Sequence, residues 1–131
     1  MTVAVLHSES ARGKAALNAA AEEAVWRGQA LAILHIIPGA DQPSAEDPAL
    51  LELLTNRLEG FGDLKWTAHT APEEFDTADA LLELAEEVDA SLLVIGSKRR
   101  TPVGKLILGS MVQRVLLDAH IPVLVVKAAG S

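Results

Sequence analysis

The chain has 131 residues and a formal net charge of -7; half of its residues are hydrophobic, 3% are aromatic, and it contains no cysteine. That length fits one domain over residues 1–131 with a sizeable aliphatic core, and the composition excludes disulfides, thiolate chemistry and a general nucleic-acid or anionic-membrane surface. The N-terminal residues do not read as a signal peptide, and the longest apolar runs fall short of the ~20 residues that span a bilayer, so a cytoplasmic protein without a membrane anchor is expected.

Val3-Ala4-Val5-Leu6-His7 is a short apolar run that ends in a polar turn, which predicts a buried strand. Residues 13–27 place Leu17, Ala20, Ala21, Ala24 and Val25 at helical spacing, with Glu22 and Glu23 opposite and Gly28 as a C-cap. Residues 30–37 are apolar throughout except for His35, the pattern of a central parallel strand covered on both faces, and Pro38-Gly39 stops it. A loop leads to a helix over residues 48–59, striped by Leu51, Leu54 and Leu58. Leu64-Lys65-Trp66-Thr67-Ala68-His69 alternates, which suits a strand at a sheet edge.

Asp76 or Thr77 then caps a helix that runs to Val88, with Leu81, Leu84, Ala85 and Val88 inward. Ser91-Leu92-Leu93-Val94-Ile95 is a buried strand that delivers the chain to Gly96. Ser110 stands where an N-cap belongs, and Val112, Val115, Leu116 and Ala119 repeat at helical spacing before Pro122. Val123-Leu124-Val125-Val126 is the final strand. Strands alternating with helices predict a doubly wound α/β fold with a parallel sheet and helices on both faces. In such sheets ligands bind at the carboxyl ends of the strands, where strand order reverses.

The segment that follows Gly96 carries the chemistry. Gly96 fits either close approach to a ligand or a simple strand-ending turn. Gly109-Ser110 opens a helix, whose first amides can be met by a phosphate or by an ordinary cap. Between them Lys98, Arg99, Arg100 and Lys105 stand out against an acidic chain. They can neutralise phosphate oxygens, or keep a surface loop solvated. Gly104-Lys105 departs from a P-loop, because Leu106 replaces the magnesium-holding hydroxyl and the place of the motif's first glycine holds an arginine. No G-x-G-x-x-G follows the first strand.

His7, His35 and His69 each fall near a predicted strand end, so a metal or acid–base cluster is conceivable, although strand-end histidines more commonly bond backbone groups. Glu83, Glu86, Glu87 and Asp89 read as a solvated helix face, and Trp26 and Trp66 as packing residues, with Trp66 partly exposed. No nucleophile is paired with a base at a recognisable spacing, so a dedicated enzyme is not expected.

The chain resembles the universal stress protein family, most strongly across residues 91–127. The family's segment after the fourth strand runs glycine, two residues, glycine, nine residues, then glycine with serine or threonine. Gly96 takes the first place and Gly109-Ser110 the last pair, while Arg99 stands at the second glycine. Arg114-Val115-Leu116, Pro122-Val123-Leu124-Val125-Val126 and Gly13-Lys14-Ala15-Ala16-Leu17 are also similar to the family. The resemblance implies strand order 3-2-1-4-5 and a homodimer paired through the strand Val123-Leu124-Val125-Val126. It further implies a stress-response or signalling protein that binds ATP, with magnesium, between the ends of strands 1 and 4. Any hydrolysis would be slow. Gly96, Gly109 and Ser110 inherit the phosphate-binding places, with Arg99, Arg100 or Lys105 as added phosphate partners. Ser8 takes the place of an acidic residue in ATP-binding relatives. The alternative is a homodimeric interaction protein of the same family that holds no nucleotide.

Overall fold

The computed structural model describes residues 1–8, 10–37, 47–72, 76–97 and 109–127. Its elements follow the order β1 (Thr2–Leu6), α1 (Ala11–Arg27), β2 (Ala30–Ile37), α2 (Pro48–Leu58), a 3-10 turn (Glu59–Phe61), β3 (Trp66–Pro72), α3 (Thr77–Glu87), β4 (Ala90–Ser97), α4 (Ser110–Asp118) and β5 (Val123–Lys127). The strands form a five-stranded sheet in the order β3-β2-β1-β4-β5, with each neighbouring pair parallel. The fold is therefore the expected doubly wound α/β sheet. Chain order reverses between β1 and β4, the position at which such sheets open a crevice.

Alternation along each strand divides the core between the two faces. Val3, Val5, Leu31, Ile33, Leu92 and Val94 point into one cluster with α1 and α2. Ala4, Ala32, Leu34, Leu93 and Ile95 point into the other, with α3 and α4. Against the first face α1 presents Gly13, Ala16, Leu17, Ala20, Ala21 and Ala24, all buried. Small side chains at this spacing let its backbone lie close to β1 and β4.

Local chemistry sets the helix ends. Ser10 is the N-cap of α1, its Oγ accepting from the Gly13 amide at 3.1 Å. Gly28 closes that helix at φ +66°, a left-handed conformation that glycine adopts without Cβ strain. Asp47 caps α2 ahead of Pro48, and Asp76 caps α3 by accepting from the Ala78 amide at 2.9 Å. The N-cap of α4 is Gly109, one place earlier than the sequence pattern suggests, so Ser110 is its first helical residue. No side-chain cap bond closes that first turn among the described residues.

Three further expectations change. The edge strand β3 begins at Trp66 and runs on to Pro72, because its ladder with β2 continues through Ile37 and Pro72. Proline is tolerated there since β3 is an edge. Trp26 is 87% exposed and does not pack in the core, whereas Trp66 packs partly buried against the first face. Val25 and Leu116 are likewise exposed, so the buried stripes of α1 and α4 are narrower than their apolar content implies. Among the described residues no helix is long and apolar enough to cross a membrane.

Candidate functional site

A cleft of about 230 Å³ opens at the carboxyl ends of β1 and β4, lined by Leu6, His7, Ser8, Arg12, Gly13, Ile36, Thr77, Gly96 and Met111. Three helices begin at its wall: Arg12 and Gly13 belong to the first turn of α1, Thr77 starts α3, and Met111 follows the first residue of α4. Helix N-termini carry outward amides and positive dipole ends, so their convergence favours an anion. Larger hollows of about 330 and 470 Å³ flank α3. Asp76, Asp79, Glu83 and Glu87 line one, and Glu83, Glu86, Asp89 and Asp118 line the other. Their charge repels an anion, so chemistry outweighs size in choosing the cleft.

Two glycines shape this cleft by letting backbones touch. A Cβ at Gly96 would stand 2.3 Å from the Arg12 carbonyl oxygen and 2.8 Å from its carbon. A Cβ at Gly13 would stand 2.2 Å from Ser8 Oγ and 2.5 Å from the Ser8 carbonyl oxygen. Gly96 lies inside β4 opposite Val126, not in a turn beyond it. The space beside it is filled by the start of α1, so its lack of a side chain serves helix–strand packing while it also lines the cleft.

Ser8 lies on the same wall, with its Oγ 2.7 Å from Ser10 Oγ. That pairing joins the rim of the cleft to the cap of α1. Gly109 and Ser110 form the start of α4, immediately before Met111. Arg99, Arg100 and Lys105, with Lys98, lie outside the described residues. Among the described residues lining the cleft there is no carboxylate.

Behind the cleft two of the three strand-end histidines meet. His7 is 2% exposed; its Nδ1 lies 3.1 Å from His35 Nε2, and Arg57 Nη1 lies 3.3 Å from its Nε2. A guanidinium can only donate, so His7 Nε2 accepts and the His7 proton belongs on Nδ1, donated to His35. This arrangement suits a structural pair. A metal on the facing nitrogens would move the His7 proton to Nε2, against the Arg57 donor. His69 stands apart on the opposite face of the sheet, 2.8 Å from Thr67 Oγ1. Among the described residues no group of three ligating side chains suits a metal ion.

Sequence reasoning missed Arg114. Its guanidinium donates through Nη1 to Asp76 Oδ2 and through Nη2 to Asp79 Oδ1 at 2.7 Å, and its Nε lies 3.5 Å from Asp118 Oδ2. The carboxylates, Asp79 foremost and then Asp76, raise its already high pKa. Arg114 stands 38 residues from Asp76, a separation that no local pattern encodes.

Comparison with known proteins gives the geometry its context. The model of the universal stress protein family matches residues 63–127. A universal stress protein of Thermus aquaticus is 30% identical over 96% of this chain and 98% of its own length. The chain belongs to the universal stress protein family. A universal stress protein of Mycolicibacterium smegmatis is 51% identical over 59 residues, a match that spans 45% of each chain. The match to the Methanocaldococcus jannaschii universal stress protein MJ0531 spans 35% of that relative's length, at 42% identity. Among solved structures, a universal stress protein from Archaeoglobus fulgidus superposes with a TM-score of 0.77 at 32% identity, over 97% of this chain and 98% of the other. Another from that organism, in complex with dAMP, gives a TM-score of 0.71 at 28% identity, over 97% and 98%. A universal stress protein in complex with cAMP gives 0.72 at 26% identity, over 98% of both chains.

Proposed function

We propose that this universal stress protein is a regulatory or signalling protein of the stress response that binds an ATP-like nucleotide at the ends of β1 and β4. One observation carries the reading: three helix starts converge on a cleft with no carboxylate among the described residues that line it, at the point where strand order reverses. The cAMP and dAMP complexes of relatives support a nucleotide as the anion. In this reading the phosphates lie toward Gly96, Gly109 and Ser110, with Ser8 at the rim and Arg99, Arg100 and Lys105 as charge partners. The protein acts in the cytoplasm by binding and not as a dedicated catalyst, and any turnover of ATP is slow.

We further propose a homodimer through β5. Val123, Leu124, Val125 and Val126 are partly exposed, and β5 is the last strand of the sheet. A partner strand would satisfy the open ladder and cover these side chains. The second reading, a homodimeric interaction protein without nucleotide, is favoured by Ser8, which offers one hydroxyl where a carboxylate would give charge-assisted bonds to a ligand.

Mass spectrometry of small molecules released from the freshly purified, denatured protein separates the two. A copurifying adenine nucleotide, or a calorimetric signal with ATP and magnesium, supports the first reading. Silence in both, together with a dimer by light scattering, leaves the second. A monomer at micromolar concentration rejects the β5 dimer in either case.

A further inference from the structure

Arg114 occupies the second turn of α4, one turn after Met111 of the cleft wall. Asp76 is the N-cap residue of α3, next to Thr77 of the same wall. The ion cluster therefore joins the starts of the two helices that close one side of the cleft. Both oxygens of Asp76 are engaged, since Oδ1 accepts from the Ala78 amide and Oδ2 accepts from Arg114. The charged side chains are between 37% and 55% exposed. Screening at that exposure leaves exposed ion pairs little part in global stability. Their consequence lies in the local field.

With the guanidinium in place, the charge of Asp76 beside the cleft is compensated, and Asp79 is paired by the same group. Without it, a carboxylate at the head of α3 opposes any anion approaching Thr77 and Met111. The planar fork also fixes α4 against α3, because separate nitrogens meet carboxylates on both helices. We infer that Arg114 is a positioning residue for the anionic ligand of the cleft: it offsets part of the negative charge of Asp76 and Asp79 beside the cleft and holds the start of α4 against α3. This inference rests on the nucleotide reading above and adds the residue that tunes the site for phosphate charge.

The test is calorimetric titration of adenosine, AMP, ADP and ATP into the wild type, Arg114→Gln, Arg114→Lys, Asp76→Asn and the Asp76→Asn/Arg114→Gln double variant. Circular dichroism verifies that each variant is folded. Arg114→Gln is expected to weaken AMP about fivefold, the scale of one incompletely screened surface charge. The loss grows from AMP to ATP and is absent for neutral adenosine. Arg114→Lys keeps part of the affinity, since it retains charge without the fork. Asp76→Asn, which preserves the cap, tightens anion binding when Arg114 is intact and recovers most of the loss in the double variant. An unchanged affinity in Arg114→Gln, or an equal loss for all four ligands, overturns the electrostatic role. If the wild type binds none of the four, the nucleotide reading falls and this inference falls with it. If it binds and Arg114→Gln binds equally well, the inference alone falls.

Discussion

The starts of α1 and α4 face the same cleft but are held there by different physics. Contact fixes α1: Gly13 lies over Ser8, the Arg12 backbone lies over Gly96, and Ser10 closes the first turn. By contrast α4 begins at Gly109 with no side-chain cap bond among the described residues and is tied to α3 by the exposed cluster around Arg114. Steric fit at van der Waals range is indifferent to salt, whereas exposed ion pairs weaken as ionic strength rises. The start of α1 is thus set by shape, whereas charge adds to the apolar packing of Val112 and Val115 in holding α4, and conditions that weaken the charge should leave the first wall in place.

The comparison breaks first at the glycines. Gly96→Ala is expected to lose about 3 kcal/mol or more in urea unfolding, because backbone atoms of Arg12, not a flexible side chain, occupy the added methyl's space. Near-wild-type stability would reject the steric account of this wall. Gly13→Ala should cost a similar amount, and adding Ser8→Ala should not restore it, since the Ser8 carbonyl oxygen and nitrogen remain 2.5 and 2.6 Å from the new Cβ. Ser10→Ala is a smaller perturbation of about 1 kcal/mol, the usual worth of an N-cap, and Ser10→Asn should recover most of it. A larger loss from Ser10→Ala would mean that its contact with Ser8 also supports the turn.

Arg114→Gln completes the series with the smallest change in thermal midpoint. That change should shrink further in 0.5 M sodium chloride, while the Gly96→Ala defect persists undiminished. A midpoint shift for Arg114→Gln that resists salt would show that its contacts with Asp76 and Asp79 act through packing instead of charge. The two variants together therefore test the division between shape and charge under a single change of condition.

Much of the architecture was legible because local rules carry it. The alternation in β3 marked an edge, Asp76 or Thr77 read as a cap, Gly28 read as a helix stop, and the alternating elements implied the parallel sheet. Exposure of Trp26 was not legible. On an Ala-rich helix many residues are apolar, and contact with the sheet alone decides that Ala16, Ala20 and Ala24 turn inward while Val25 and Trp26 remain outside. The histidines show the same limit. Residue spacing brought three strand ends to attention, but strand parity placed His69 across the sheet from His7 and His35. Arg57 reaches His7 from 50 residues away, and Arg114 reaches Asp76 from 38, so tertiary packing creates both contacts.

The close contact between Gly96 and Arg12 also bears on how motif glycines diagnose activity. A chain that abandoned its ligand altogether would still need glycine at places 13 and 96 for as long as α1 rested on β1 and β4. Those two residues consequently mark the architecture. A survey of sequences that equated them with ligand binding would count empty proteins among the binders, and a discriminating search would weigh Ser8 on the cleft wall instead, with Asp76 and Arg114 beside it.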